Sequence, residues 1–400
     1  MTGRREVVVV GGGPAGSAVA ARLAAGGHDV LLVDSGHFPR DKVCGEGVSP
    51  EAWRLLDAVG ATARVEALRP RPLLGMRLVS PDGTAFEGRY RCSRPGFAVR
   101  RLHLDAALLS VAREAGAEVR EGARVTALLR AADGAVRGVE TERAGEASRI
   151  EARLVVGADG RRGIVGRSLG LLGEHPRFRR FSVRGYWDGV AGLGDTGEMH
   201  VGGGGYCGLA PLSDTTANVA FVLPEREMAG AAGDLEGFYR ESLRRRWPRI
   251  ADRLARARLC EPPKAVGPLA LRCRRVAAPG ALLVGDAAGF HDPFTGEGVT
   301  LALRTAELAA AAADEALRTG EGPLPRLDRY ERERAAATQD KFRFNRVLQW
   351  AVACPAVADA VAHRLARRPD LADRLVGIAG DFVPARTAFG PGFLLDLLRA

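Results

Sequence analysis

Two carboxylates in this chain follow apolar runs, where each is placed to bind the hydroxyl groups of a sugar. Asp34 ends one predicted strand, and Asp286 follows the apolar run at 281–284. A helix is predicted to begin near Gly298, after a loop that contains proline and glycine. Backbone N–H groups at a helix start stabilise negative charge, and a carboxylate at a strand tip accepts hydrogen bonds from ribose hydroxyls. These features predict one dinucleotide that reaches from residues 11–34 to Asp286.

A glycine-rich turn forms the first of the two sites. A predicted buried strand at 6–10 precedes it and a predicted helix at 17–25 follows it. The turn itself consists of Gly11, Gly12, Gly13, Pro14, Ala15 and Gly16. In this pattern the first glycine permits the tight turn, the second lets a pyrophosphate approach the backbone, and the third lets the helix pack on the strand. Asp34 lies roughly 20 residues further on, as a ribose-binding acid should.

A second glycine pattern fails the same test of context. Gly203, Gly205 and Gly208 have the same spacing, but Leu209-Ala210-Pro211 follows them instead of a helix. We interpret this segment as a glycine-rich strand or loop, since the motif binds a dinucleotide only between a strand and a helix. The sequence therefore predicts no separate NAD(P)-binding domain.

A third apolar run ends in a carboxylate and a glycine, at Asp159-Gly160. In this order, the three motifs resemble those of the flavoprotein monooxygenase and geranylgeranyl reductase superfamily over about residues 5–305. The resemblance implies non-covalent FAD, with NAD(P)H as its reductant. It departs from the family after Gly160, where Arg161-Arg162-Gly163 replaces the usual serine.

The resemblance also implies a fold and a domain organisation. We expect an α/β chain in which a Rossmann-type, glutathione-reductase-like FAD-binding domain is interleaved with an antiparallel-sheet substrate domain. The FAD-binding domain would take 1–70, 95–170 and 265–320, the substrate domain 71–94 and 171–264, and a helical region 321–400. Within these, the pattern predicts a hairpin at 81–83, a turn at 133–134 and one long helix at 235–259. Three further helices are predicted at 330–337, 341–352 and 356–366.

Site residues follow from matching the family's motifs to this chain. The ADP half of FAD would contact the glycine-rich turn and Asp34, and Asp286 would hold the ribityl chain. The helix that Arg101 opens resembles the family segment whose arginine contacts FAD, and Asp159 would lie near the pyrophosphate. The predicted FAD-binding residues are Gly11, Gly13, Pro14, Ala15, Gly16, Asp34, Lys42, Arg101, Asp159, Gly285, Asp286, Pro293, Gly296, Glu297 and Gly298.

Three residues are candidates for the chemistry itself. Cys44 matches a family cysteine beside the flavin, where it would shape the pocket or assist proton delivery, although a small buried residue that fills space is an equal alternative. His291 has a side chain suited to proton transfer at neutral pH, or it caps the loop. Tyr206 would donate a hydrogen bond to a substrate oxygen, or it packs in the core.

The motifs leave three functions open. The loop at 39–47 and the segment at 292–298 are similar to those of geranylgeranyl reductases, while the prenyl-pocket motif of that branch is reduced to Tyr206 and Pro211. We therefore place hydroxylation of a bulky apolar, aromatic or polyketide-like substrate first, through a flavin hydroperoxide in a dry pocket. The alternatives are saturation of an isoprenoid double bond and a flavin-binding protein without turnover.

Composition excludes other classes. The formal net charge is +10, but lysine occurs only at 42, 264 and 341, and no block of basic residues with interleaved aromatics indicates nucleic-acid binding. Six cysteines without paired spacing predict reduced thiols and no metal site, as in a cytoplasmic protein. The apolar segment 393–398 is predicted to dock on the core, with a peripheral membrane contact or a cover for the pocket as alternatives. The oligomeric state is left open.

Overall fold

The structure is a computed structural model that describes residues 2–175, 178–290, 292–319 and 327–399. In chain order, the strands are β1 (Thr2–Val10), β2 (Val30–Asp34), β3 (Gly47–Val48), β4 (Arg71–Leu73), β5 (Gly75–Val79), β6 (Ala85–Arg89), β7 (Gly96–Ala98), β8 (Glu118–Glu121), β9 (Arg124–Arg130), β10 (Val136–Arg143), β11 (Glu146–Gly157), β12 (Leu172–Glu174), β13 (Arg180–Asp188), β14 (Thr196–Gly202), β15 (Gly205–Pro211), β16 (Ala217–Pro224), β17 (Arg258–Leu259), β18 (Lys264–Val266), β19 (Leu271–Cys273), β20 (Ala277–Ala278) and β21 (Ala281–Leu283).

Over the residues described, the helices are fewer than the strands, and the two longest, α8 and α9, lie in the last third of the chain. In chain order they are α1 (Pro14–Ala25), α2 (Ala52–Asp57), α3 (Thr62–Glu66), α4 (Arg101–Glu114), α5 (Ile164–Ser168), α6 (Leu235–Arg246), α7 (Pro248–Leu254), α8 (Gly298–Thr319), α9 (Asp328–Ala353), α10 (Pro355–Arg367), α11 (Pro369–Ala379) and α12 (Pro391–Arg399).

A parallel sheet positions the two predicted carboxylates. Its order is β20-β21-β11-β1-β2-β8, with β9 and β10 joined to β11 as an antiparallel meander. The central strands are buried on both faces, which is why they read as continuous apolar runs. Val10 pairs with Val33 and Gly157, and Gly157 pairs with Leu283, so the carboxyl ends of four strands meet at one edge. This edge brings together motifs from the beginning, middle and later part of the chain.

An antiparallel sheet forms the second layer. Its order is β17-β13-β16-β15-β14-β5-β6, with β18 paired to β13 and with β14 and β5 parallel. One face packs on α6 and α7, where Phe221 stacks on Tyr239 and Trp247 at centroid distances of 5.4 Å each. The second glycine pattern lies at the β14–β15 hairpin, which confirms that it opens no helix. The predicted hairpin at 81–83 and turn at 133–134 are also confirmed.

The prediction of one long helix at 235–259 is wrong. Helix α6 ends at Arg246, Trp247 leaves the helical region with φ −133° and ψ 64°, and α7 begins at Pro248. Proline has no N–H to donate and disfavours a helical conformation in the residue before it, so the helix is interrupted at this point. The apolar periodicity of the sequence continues across the interruption and does not reveal it. The chain then enters β17 at Arg258.

The C-terminal helices cover the free edge of the second sheet. Helix α9 runs through 338–340, so the helices predicted at 330–337 and 341–352 are one helix. Phe393 packs with Phe86, Leu365 and Leu371, which confirms docking of the closing segment on the core at that residue. No helix in the described ranges has the length and apolar character needed to cross a bilayer.

Candidate functional site

The glycine-rich turn has the close contacts that its sequence predicts. Gly11 adopts φ +105° and donates its N–H to the Val33 carbonyl at 2.8 Å. A Cβ on Gly16 would lie 1.8 Å from the Gly11 carbonyl oxygen, so helix α1 reaches this position only with glycine there. A positive φ of this size also favours glycine at residue 11.

The start of helix α1 faces a cavity. Gly13 occupies the N-cap position, no side chain caps the helix, and Gly13, Pro14 and Ala15 line the cavity. A Cβ on Gly13 would meet no atom closer than Arg40 Nη2, at 3.8 Å. Uncapped N–H groups beside open space form an anion site, so this turn fits the pyrophosphate of FAD.

Asp34 lies at the predicted edge and is already bound to backbone donors. Its carboxylate accepts hydrogen bonds from the N–H groups of Gly12 at 2.7 Å and Gly36 at 2.8 Å, and it pairs with Arg40 at 3.3 Å. Arg40 is a residue that sequence reasoning missed. Its Nε is buried without a partner among the described residues, while Nη2 points towards Gly13. Arg40 therefore adds a cation beside the phosphate position.

The cavity runs from the start of helix α1 to the second sheet and holds about 1590 Å³ of atom-free space, part of it open to solvent. Asp286 lines it together with Lys42 and Arg161. Burial lowers the pKa of both Lys42 and Arg161, and the negative charge of Asp286 opposes that shift. Gly285 donates its N–H to Thr305 Oγ1 at 3.0 Å, which fixes the strand end on helix α8. Arg161, noted in the sequence only as a departure from the family, is thus a cavity residue.

The loop before helix α8, residues 292–297, forms another wall of the cavity and is called the glycine loop below. Pro293, Gly296 and Gly298 line it, and Gly296 adopts φ +70°. A Cβ on Gly296 would meet no atom within 4 Å. This open, glycine-containing helix start fits the flavin ring, whose reduced form carries negative charge that a helix N-terminus stabilises.

Glu297 has a different role from the predicted contact with FAD. It is buried outside the cavity lining, where its carboxylate lies 2.9 Å from Lys341 Nζ on helix α9. Lys341 also pairs with Asp381 at 2.9 Å and donates to the Ile378 and Ala379 carbonyls. Burial raises the pKa of Glu297, and Lys341 opposes that rise. Glu297 therefore joins the glycine loop to the C-terminal helices through Lys341, a partner that no local sequence motif predicts.

Asp159 also turns away from the cavity. Its Oδ2 accepts the N–H of Val165 at 3.1 Å, at the start of helix α5, and burial raises its pKa. The neighbouring backbone at Gly160 lines the cavity instead. The carboxylate of Asp159 thus binds the start of helix α5 and does not line the cavity, where the pyrophosphate contact was predicted.

Cys44 lies in the cavity wall as predicted. Its Sγ accepts the N–H of Glu46 at 3.4 Å, and its carbonyl accepts a hydrogen bond from Asn218 at 2.7 Å. Burial and the Glu46 carboxylate raise the pKa of the thiol. Cys44 is consequently a neutral thiol at physiological pH, able to hold a proton but not to act as a thiolate nucleophile.

A buried network behind Cys44 was not predicted. Glu46, at φ +64°, accepts hydrogen bonds from the Tyr186 hydroxyl and from the Arg101 N–H at 2.7 Å. Burial raises the pKa of Glu46 to about 7. Arg101 lines the cavity and is held by Asp105 at 2.6 and 2.9 Å. The signal in the sequence was a carboxylate between Gly45 and Gly47, which is unusual in a tight loop.

Tyr206 lines the cavity, but its hydroxyl donates to Asp292 and not outward. Asp292 is buried, pairs with Arg180 at 3.2 Å and accepts the Phe294 N–H at 3.1 Å. In this arrangement the Tyr206 hydroxyl already has a partner, and the buried ring agrees with the alternative that Tyr206 packs in the core. His291 lies outside the described residues.

The second sheet supplies an apolar wall opposite the glycine loop. The residues that this sheet presents to the cavity are mainly aliphatic or very small: Met76, Met199, Gly208, Leu209, Ala210, Ala220 and Val222, with Glu198 and Ser182 among the polar members. Leu73, on β4 outside this sheet, also lines the cavity. Small side chains at Gly208 and Ala210, where the family motif carries large ones, leave the wall recessed. A group of three or more potential metal ligands is absent from the described part of the chain.

Comparison with known proteins places these features in a family. The FAD binding domain family matches residues 4–345. A menaquinone reductase of Mycolicibacterium smegmatis is 31% identical over 327 residues, covering 78% of this chain and 76% of that protein. A digeranylgeranylglycerophospholipid reductase of Methanosarcina acetivorans is 30% identical over 339 residues, covering 81% and 78%. Among solved structures, a flavin-dependent brominase superposes with a TM-score of 0.82 at 20% identity, covering 94% and 93%.

Proposed function

The chain belongs to the FAD binding domain family and is an FAD-dependent oxidoreductase, and from this premise we propose that it saturates an isoprenoid double bond. The substrate is a lipophilic molecule with a polyprenyl chain, NAD(P)H is the reductant, and FAD is bound without a covalent link. Two relatives at 30% identity or above, which act on menaquinone and on an archaeal lipid by name, support this substrate class.

The observation that carries the proposal is the apolar wall opposite the glycine loop. Met199, Leu209 and Val222 line the cavity and present aliphatic side chains to it. An isoprenoid carries a methyl branch every few carbons and has no charge to pair. A recessed aliphatic wall buries such a chain at about 25 cal/mol per Å² of apolar surface.

Each part of the site has a task in this reaction. When bound, FAD supplies the two electrons that it takes from NAD(P)H. Arg40, Lys42 and the start of helix α1 would hold its negative charge, and Asp286 would hold sugar hydroxyls. The apolar wall excludes water from the reacting carbon atoms. Cys44 keeps a proton on Sγ because burial raises its pKa, so a proton is at hand for the second carbon of the double bond.

Hydroxylation, which the sequence alone places first, becomes the second candidate. It needs a pocket beside the flavin that excludes water, and the apolar wall supplies one side of such a pocket. The order changes because the relatives with the higher sequence identity are reductases, whereas likeness to the brominase at 20% identity shows the fold alone.

The Cys44→Ser variant tests the assignment of the proton. We expect FAD to remain bound while anaerobic, substrate-dependent oxidation of NADPH falls about tenfold or more, since a hydroxyl is a much weaker acid than a thiol. The matched control is Cys260→Ser, which removes an exposed thiol outside the cavity and should leave the rate unchanged. Equal rates in the Cys44 variant and wild type would contradict a role for the thiol in proton delivery.

A further inference from the structure

Five side-chain hydroxyls line the cavity, and two of them have no hydrogen-bond partner among the described residues. Ser49 is bonded to Thr300, Tyr206 to Asp292 and Thr295 to Asn345. The remaining two belong to Tyr90 and Ser182. Neither hydroxyl is among the buried groups that lack a partner, so each is open to the cavity and can bind water there. A ligand that displaces this water leaves the donor unpaired, at a cost in free energy, unless the ligand accepts a hydrogen bond from it.

The Tyr90 ring is fixed in position. A Cβ on Gly96 would lie 3.1 Å from Tyr90 Cε2, a Cβ on Gly380 would lie 3.0 Å from Cε1, and Phe382 meets the ring edge-on at a centroid distance of 5.7 Å. Glycine at 96 and 380 thus permits the ring to sit between two backbone segments. A ring held on both sides keeps its hydroxyl in one place, which favours a specific contact over an adaptable one.

The surroundings keep the Tyr90 hydroxyl protonated. Burial raises its pKa, and the negative charges of Glu297 and Asp381 raise it further. The hydroxyl is therefore a neutral hydrogen-bond donor at every physiological pH and a poor acid. Leu73 and Ala210 pack beside the ring, so the donor stands at one end of the apolar wall.

We propose that Tyr90 donates a hydrogen bond to an oxygen atom of the substrate and so selects isoprenoids that carry an oxygen function over pure hydrocarbons. This inference rests on the proposed function and adds the feature of the substrate that Tyr90 recognises. The oxygen acceptor belongs either to a quinone carbonyl or to an alcohol, since both present the lone pairs that a phenol donor needs.

Ser182 is the competing donor, and its variant tests whether Ser182 instead of Tyr90 binds the oxygen atom. It lies on β13, where it pairs in register with Val266 and Val222, at the other end of the apolar wall from Leu73. Its hydroxyl is one of the two without a partner among the described residues, so Ser182→Ala removes a cavity donor without touching Tyr90. A selective effect at Tyr90 and none at Ser182 distinguishes a specific contact from a general loss of polarity.

The test measures binding to the FAD-loaded protein by the change in the flavin absorption spectrum, without turnover. The probes are a short-chain menaquinone, geranylgeraniol and squalene, which is a hydrocarbon. We expect Tyr90→Phe to weaken binding of one or both oxygen-bearing probes by roughly two- to tenfold, as loss of a neutral hydrogen bond does, and to leave squalene unchanged. Ser93→Ala, at an exposed hydroxyl outside the cavity lining, is the control and should change none of the three.

The outcomes separate the inference from the function on which it rests. If Tyr90→Phe weakens binding of menaquinone alone, the acceptor is the quinone carbonyl, and if it weakens binding of geranylgeraniol alone, the acceptor is the alcohol. Either result supports the inference. The inference is overturned if Tyr90→Phe leaves binding unchanged, if it weakens binding of squalene equally, or if Ser182→Ala has the same effect as Tyr90→Phe. In each of these cases, binding of the probes by the wild-type protein leaves the proposed function intact. Wild-type protein that binds none of the three probes contradicts both.

Discussion

Among the described residues, several buried carboxyl groups lie behind the cavity wall, and the partners of three of them decide what each can do. Two accept hydrogen bonds from tyrosine hydroxyls and one pairs with a lysine; these are Glu46, Asp292 and Glu297. Burial raises the pKa of all three. Since each has a neighbour in sequence that lines the cavity, their charge state sets the electrostatic potential that the bound substrate and cofactor experience.

Glu46 makes the stability of the protein depend on pH near neutrality. Its pKa rises from 4.5 to about 7 on folding, so its contribution to stability is complete below pH 4.5 and is lost as the pH rises through 7. A shift of that size corresponds to roughly 3 kcal/mol. We expect the free energy of unfolding of Glu46→Gln, relative to wild type, to rise between pH 5 and 7, as measured by urea denaturation at each pH.

The control for this comparison is Glu142→Gln, which changes an exposed glutamate on β10. Its unfolding free energy should follow that of wild type across the same pH range. Parallel curves for Glu46→Gln and wild type would mean that the buried carboxyl ionises at no cost, and would contradict the raised pKa of Glu46.

At the scale of elements, helix α1 shows how two glycines of one motif differ. Gly16 is required by packing, because a Cβ there would overlap the Gly11 carbonyl. The protein alone does not require glycine at residue 13, because a Cβ there would meet no atom closer than 3.8 Å, and the motif assigns this glycine to the approach of the pyrophosphate. The motif in the sequence assigns both roles, and the geometry of the turn agrees with it.

This difference gives a paired prediction. Gly13→Ala should leave the unfolding free energy of the FAD-free protein nearly unchanged and weaken FAD binding by about tenfold or more, because the methyl group occupies the path of the pyrophosphate. Gly16→Ala should destabilise the FAD-free protein itself. Gly3→Ala, where the added Cβ meets nothing within 4 Å, is the neutral control. Equal destabilisation by Gly13→Ala and Gly16→Ala would contradict the assignment of roles.

Elements far apart in sequence meet through partners that local patterns do not reveal. The glycine turn, the strand ends and the hairpins are each encoded within a few tens of residues, and they were predicted correctly. The contacts of Tyr206 with Asp292 and of Glu297 with Lys341 join segments that only the tertiary fold brings together. For that reason the local sequence did not reveal the partners of Tyr206 and Glu297; of the two roles considered for Tyr206, its burial agrees with packing in the core.

Lys341 tests the link between the glycine loop and the C-terminal helices. Lys341→Met leaves buried Glu297 and partly buried Asp381 without their cation, and breaking a buried ion pair costs about 3–5 kcal/mol. We expect a corresponding loss in urea denaturation and weaker FAD binding, because Glu297 stands between Gly296 and Gly298. Adding Glu297→Gln to Lys341→Met should recover part of the stability. Purely additive losses in the double variant would contradict the coupling of these two residues.

At the scale of the molecule, the parallel sheet and the antiparallel sheet enclose one cavity between them. The parallel sheet contributes Asp286 and the start of helix α1, and the antiparallel sheet contributes Met199 and Val222. One side is therefore polar and suited to a dinucleotide, and the other is apolar and suited to a lipophilic chain. This division of the cavity underlies the proposal of a reductase that acts on an isoprenoid.

The most direct measurement locates the hydrogen atoms added to a menaquinone by the purified protein with FAD and NADPH, without oxygen. The quinone ring is reoxidised in air before tandem mass spectrometry, so that only hydrogen atoms on the chain remain. We expect a product heavier by two hydrogen atoms, both in the prenyl chain. A product heavier by one oxygen atom, formed only when oxygen is admitted, would contradict the assignment of the protein as an isoprenoid reductase.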